Sequence, residues 1–212
     1  IGVLSQRTFL DISKFIDKDK IALIPSSVDI TKTVERRQKN RDILKVLFIG
    51  GSDPYRKGIK EILEVLPSVV RNYNKIQFIF SGSPILKDLI ETLDPVIKEK
   101  HTEFIGFFDE KDKWDIYHSA DILLLPSHNE GLPYVIIEAL ASGLPIISST
   151  VGGIPEVVED GKNGFLIKAG NSSELVRKIS FLVDNPEIRK KMGENNASKI
   201  TKHYSDDSMI QK

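Results

Sequence analysis

"ILKVLFIGGSDPYRKGIKEILEVLPSVVRNYNKIQFIFSG" (43–82) is the stretch that decides the fold. Its two ends, "ILKVLFIG" (43–50) and "KIQFIFSG" (75–82), are runs of β-branched, aromatic and leucine side chains that close on glycine. They are apolar on both faces, which marks strands of a parallel sheet covered by helices on each side. Between them, residues from about 57 to 73 carry apolar side chains at the spacing of one helix face. Strand, helix and strand in this order form a right-handed crossover unit, with ligands expected beyond the carboxyl ends of the strands.

The same rhythm continues to the end of the chain. Further strands are expected at 102–107, 121–127, 144–150 and 164–169, with helices at about 84–100, 109–119, 132–142, 153–160, 172–184 and 186–203. The pattern predicts a doubly wound, Rossmann-like α/β domain with a mainly parallel sheet over residues 43–205. Residues 1–42 fit the rhythm less well. "IGVLS" and "KIALIPS" read as strands around a helix in "QRTFLDISKFI", followed by the polar joint "TKTVERRQKNR" (31–41). Either this is a further βαβ unit of the same sheet, or it is the remnant of a neighbouring N-terminal domain with its linker. The division expected is a remnant and linker over 1–42, the main domain over 43–205 and a truncated tail over 206–212, which makes the chain a fragment.

Composition narrows the function. Of the 212 residues, 40% are hydrophobic and 28% charged, as in ordinary globular proteins. Thirty basic residues balance thirty acidic ones, so no global nucleic-acid footprint is present. There is no cysteine, which removes disulfides and thiolate metal sites and fits a reducing, cytoplasmic setting. No apolar run approaches the ~18 residues that span a bilayer.

One apolar helix contains an acid. In "SHNEGLPYVIIEALASGLP" (127–145), Glu138 follows Glu130 by eight positions. A buried carboxylate costs several kcal/mol unless it is paired. Amides at a helix start favour an anion, and helical side chains lean towards that end. Glu138 therefore suits a ligand that offers both phosphate and hydroxyls, as a nucleotide does. Pairing with a lysine fits the pattern equally well.

The longer stretch "PSHNEGLPYVIIEALASGLPIISSTVGGIPEVVEDGKNGFLI" (126–167) resembles the signature block of the retaining glycosyltransferase family 4, the glycosyl transferases group 1, which has the GT-B fold. The marks are the E-x7-E pair, "EALASG", the "GG-x-PE" turn and "DG-x-NG" before a strand. "IPSSVD" (24–29) is similar to the family's "IPNGVD", and "GGSDPYRKG" (50–58) to its first C-domain loop. The resemblance implies the C-terminal half of a GT-B enzyme. Glu138 then binds ribose hydroxyls of a nucleotide-diphosphate sugar, and Glu130 lies by the transferring centre. The backbone of Gly131, Leu132 and Pro133 faces the sugar and diphosphate, and Phe107 lies by the nucleobase. Lys57 stabilises the leaving diphosphate.

Two departures stand out. The usual arginine after Gly50 is Gly51, so Arg56 is expected to take its role; one absent cation costs ~2–4 kcal/mol of transition-state stabilisation. Ser26-Ser27 replaces Asn-Gly, which implies a different turn at the domain joint. Other patterns carry no chemistry. "DKD" (17–19) reads as a solvated turn, the four histidines lack metal-site spacing, and neither a P-loop nor a G-x-G-x-x-G is present.

The resemblance implies a retaining, metal-independent sugar transferase that uses a nucleotide-sugar donor as co-substrate and no bound cofactor. Its saccharide or lipid-linked acceptor binds through the missing N-terminal domain, which is compatible with peripheral association of the full-length enzyme with the inner face of the membrane. The chain alone is expected to bind nucleotide and transfer little or no sugar. A GT-B nucleotide-sugar epimerase and a non-catalytic nucleotide-sugar-binding domain are the alternatives.

Overall fold

Alternation of side chains across β-strands sets the layers of the computed structural model, which describes residues 1–24, 28 and 42–203. The chain begins with β1 (Gly2–Val3), α1 (Gln6–Ile12) and β2 (Ala22–Leu23). Strands β1 and β2 pair in parallel as a separate two-stranded sheet, not as an edge of the main one. The "DKD" turn is exposed, with Lys20 on Asp17 at 3.3 Å. The substituted joint at Ser26-Ser27, the stretch 31–41 and the tail 206–212 lie outside the described residues.

The main sheet contains β3 (Leu44–Gly51), β4 (Ile76–Gly82), β5 (Thr102–Gly106), β6 (Ile122–Leu125), β7 (Ile146–Ser149) and β8 (Gly164–Ile167). Their order is β5-β4-β3-β6-β7-β8, and every pairing is parallel. Residues that alternate along β3 go to opposite faces. Val46 and Phe48 join the core under α2 (Ile59–Asn72), α3 (Pro84–Glu91) and α8 (Ser172–Asp184). Leu47 and Ile49 join the core under α5 (Lys113–Ser119), α6 (Tyr134–Ala141) and α7 (Ile154–Val157). The last helix, α9 (Pro186–His203), contributes Met192 to the first core and Ile200 to the second, so it passes from one face to the other.

Several expected helices differ from the structure, and the one expected over 109–119 begins only at Lys113. The single helix expected over 84–100 is two, α3 and α4 (Pro95–His101). Pro95 forces the residue before it out of the helical region, and the Asp94 side chain caps the new start by accepting from the N–H groups of Val96 and Ile97. The helix expected at 153–160 ends at Val157, because the Asn163 side chain accepts from the Glu159 N–H and donates to the Val157 carbonyl, closing the loop. Helix α2 begins at Ile59 rather than 57, so Arg56 and Lys57 lie in the loop before it.

The chain reverses its direction of growth between β3 and β6, whose carboxyl ends flank the switch-point crevice of such a sheet. Gly58 brings the two ends together. A Cβ at Gly58 would lie 2.2 Å from the Pro126 carbonyl oxygen, so only glycine lets the start of α2 approach the loop after β6 this closely.

Candidate functional site

The loop after β6 and the loop after β3 are joined through charge. Glu130 Oε1 lies 3.0 Å from Lys57 Nζ and Oε2 lies 3.0 Å from Arg56 Nη1. Ser127 Oγ donates to Oε1 at 2.9 Å. The Glu130 side chain is 6% exposed, and two cations with a hydroxyl offset the desolvation of one carboxylate. Backbone contacts hold the loops in register: the His128 N–H donates to the Arg56 carbonyl at 2.9 Å, and Arg56 Nη1 donates to the Asn129 carbonyl at 2.8 Å. Asp53 holds Arg56 from the other side, with its Oδ1 accepting from the Arg56 N–H at 3.1 Å.

Gly131 is exposed and Leu132 and Pro133 are buried; Pro133, which has no N–H, stands at the N-cap of α6. The helix therefore starts at Tyr134, not Leu132. The Gly131 carbonyl accepts from the Gly153 N–H at 2.5 Å, so the GG-x-PE turn backs the Glu130–Gly131 loop. Further along that turn, Glu156 accepts from the backbone N–H groups of Gln6 and Arg7 at 2.9 and 2.8 Å, which ties the start of α1 to the main domain.

Glu138 is not bare. Its Oε2 accepts from the Tyr117 hydroxyl at 2.6 Å, and its Oε1 lies 3.1 Å from Lys113 Nζ. Both partners come from α5, and 16% of the Glu138 side chain is exposed. The lysine pairing left open by the sequence pattern is thus present, and a tyrosine stands beside it. Burial would lower the Lys113 pKa, but its bonds to Glu110 and Glu138 outweigh that and raise it. Neither α5 partner has a signal in the sequence. Tyr117 lies 21 positions from Glu138, and only the packing of α5 on α6 brings them together. Ser127, three residues before Glu130, follows a sequence spacing that does suggest a side-chain contact.

The remaining expected residues are more scattered. Gly51 has a φ of +58°, and a Cβ there would meet nothing within 4 Å among the described residues, so the backbone rather than those neighbours disfavours a side chain. Phe107 is 64% exposed and follows β5, an edge strand two pairings, or about 10 Å, from β3. His128 turns to α2, where its Nε2 lies 2.9 Å from Glu61 Oε1. Among the described residues, no cluster of His, Asp and Glu is placed to hold a metal ion, and no helix is long and apolar enough to cross a membrane.

A six-stranded, all-parallel, doubly wound domain with a charged crevice at its switch point is the architecture of the C-terminal half of a GT-B enzyme. The chain belongs to the glycosyl transferases group 1 family, whose model matches residues 29–199. It is 34% identical over 158 residues to spore coat protein SA of Bacillus subtilis, covering 70% of this chain and 41% of that protein. The C-terminal domain of the group 1 family protein LpcC from Francisella tularensis superposes with a TM-score of 0.72 at 26% identity, covering 84% of this chain and 99% of that one. A variant of Staphylococcus aureus TarM, in complex with UDP, α-GlcNAc-glycerol and fondaparinux, superposes with a TM-score of 0.84 at 25% identity, covering 99% of this chain and 42% of that one. Across eight curated relatives, the chain spans between 27% and 52% of their length.

Proposed function

We propose that the chain binds a nucleoside-diphosphate sugar in the crevice between β3 and β6. Together with an N-terminal domain across the cleft, it transfers the sugar to a saccharide or lipid-linked acceptor with retention of configuration. One observation carries this reading: two acids of a single loop-and-helix unit each meet a cation, Glu130 on Lys57 and Arg56, and Glu138 on Lys113. In the bound state Lys57 and Arg56 turn to the diphosphate and stabilise its departure, with Arg56 serving where Gly51 has no side chain. Glu130 is then freed to face the transferring carbon. Glu138 takes the ribose hydroxyls, the backbone from Gly131 to Pro133 runs along the sugar and diphosphate, and Phe107 lies by the base. That the TarM variant was crystallised with UDP supports a nucleotide as the ligand of this architecture.

Calorimetric titration of the chain with UDP, GDP and ADP, beside Glu138→Ala, tests the reading. Binding of one nucleotide that weakens ~10–100-fold in the variant, as expected for one or two charged hydrogen bonds, supports it. Undiminished binding by Glu138→Ala removes Glu138 from the site, and no binding by either protein refutes donor recognition by this chain.

A further inference from the structure

We infer that Tyr117 and Lys113 are positioning residues that hold the Glu138 carboxylate for two adjacent hydroxyls, so that the chain selects ribonucleotides over their 2′,3′-dideoxy forms. The inference rests on the proposed role of Glu138 and adds what makes that acid selective. The Tyr117 ring is 0% exposed, packed in the core under α5 and α6, and its hydroxyl is committed to Glu138 Oε2 at 2.6 Å. A buried tyrosine needs a partner for its hydroxyl, and here that partner is the one acid of an otherwise apolar helix face. Lys113 takes the other oxygen from the surface side, where its ammonium also lies 5.0 Å from the centre of the Trp114 ring.

Each oxygen of the carboxylate is therefore held once, by a different residue. An ionised carboxylate has about four acceptor positions in all. One tether on each oxygen leaves about one position on each, and the side chain is still 16% exposed to a ligand. A vicinal diol fills both together, whereas a single hydroxyl leaves one unused. An untethered glutamate at the same place samples several rotamers and loses that pairing. Burial, and then the Glu138 charge, push the Tyr117 phenol well above its usual range, so it remains a donor wherever the protein is folded.

The test compares the chain, Tyr117→Phe and Lys113→Met in calorimetric titrations with UDP, GDP and ADP, each beside its 2′,3′-dideoxy form. The wild-type chain is expected to bind at least one ribonucleotide about tenfold or more tighter than the dideoxy form. Tyr117→Phe is expected to lose most of that ratio by weakening only the ribonucleotide, and Lys113→Met to act in the same direction. Equal weakening of both forms by Tyr117→Phe makes its role merely structural and overturns the inference, while the wild-type ratio still upholds Glu138 as the ribose ligand. Equal affinity of the wild-type chain for both forms, or none for either, removes ribose from Glu138 and this inference with it. Should Tyr117→Phe fail to fold by circular dichroism, the same comparison on Lys113→Met, whose side chain stands nearer the surface, decides the matter.

Discussion

Gly152 stands against the carbonyl oxygen of Glu130, so close that a Cβ on it would lie 1.8 Å from that oxygen. Its φ of +55° already disfavours any other residue. The second glycine of the pair donates its N–H to the Gly131 carbonyl, so the GG-x-PE turn acts as a backing plate for the loop that carries Glu130. Gly152→Ala is expected to displace that loop, abolish nucleotide binding and destabilise by more than the ~1–2 kcal/mol of a left-handed backbone alone. Gly161, also at positive φ but with no described residue within 4 Å of its missing Cβ, provides the control. Gly161→Ala should cost only the backbone term and leave binding intact. Similar urea midpoints for the two variants would contradict a clash at Gly152.

Lys57 and Arg56 share Glu130, but unequally. The Lys57 side chain is 12% exposed and the Arg56 side chain 41%, so the lysine is the more desolvated cation and its charge is the less screened. Lys57→Met is expected to lower the affinity for a nucleoside diphosphate ~10–100-fold, the worth of one charge-assisted bond, and to leave affinity for the plain nucleoside unchanged. Arg56→Met should do the same more weakly. Parallel titrations with diphosphate and nucleoside read the difference, and an equal loss for both ligands would place Lys57 away from the phosphates.

Glu61 occupies a helix face that otherwise buries Ile59, Ile62, Val65 and Leu66. It is 9% exposed, its Oε2 has no hydrogen-bond partner among the described residues, and its Oε1 is held by His128. Removing His128 strands both oxygens, so His128→Ala is expected to destabilise by roughly 1–3 kcal/mol. Glu61→Leu removes the desolvated carboxylate with its partner's obligation, and should be neutral or stabilising. Urea denaturation of both variants checks this; equal destabilisation would mean that the pair itself contributes stability.

These cases show which parts of the molecule can be read from its sequence. Strands such as "ILLL" (122–125) are legible because burial on both faces leaves no room for polar residues. Helix ends are less so: Asp94-Pro95 sits in a continuous amphipathic pattern, and the local capping geometry overrides the periodicity there. Within the candidate site, Glu138 stands out as a charge in an apolar helix, whereas Glu130, Arg56 and Lys57 are picked out by the resemblance of their loops to the family's. Tyr117, Lys113 and Glu61 stand out in neither way, because their roles arise from the packing of separate crossovers against one another. Asn163 illustrates a middle case. The "DG-x-NG" pattern marks it, yet only the structure shows why: its buried side chain closes a loop, and Asn196 of α9 donates to its carbonyl at 2.9 Å.

The neighbouring residue Glu159 makes the attachment of α9 sensitive to acid. Hydrogen bonds from Lys162 at 2.8 Å and Lys199 at 2.7 Å hold its pKa down from 4.5 to about 2. In the unfolded chain the same group titrates in the ordinary range, about 4.3. A folded pKa below the unfolded one means that the stabilisation is fully present above about pH 4.5 and is lost as pH falls through the folded value. The side chain is 43% exposed, so solvent screening keeps the contribution to that of a surface network, about 0.5–1 kcal/mol. Glu159→Gln is therefore expected to be less stable than the wild-type chain by this amount at about pH 7, with the gap closing between about pH 4.5 and pH 2. Lys199, on α9 and 17% exposed, is the partner that joins the loop to the last helix. Lys199→Met should reproduce most of the loss, whereas Lys162→Met, at a side chain 65% exposed, should have little effect. Urea midpoints for the four proteins across this pH range decide it: a gap that stays constant or widens in acid would show that Glu159 stabilises the fold by some means other than its charge.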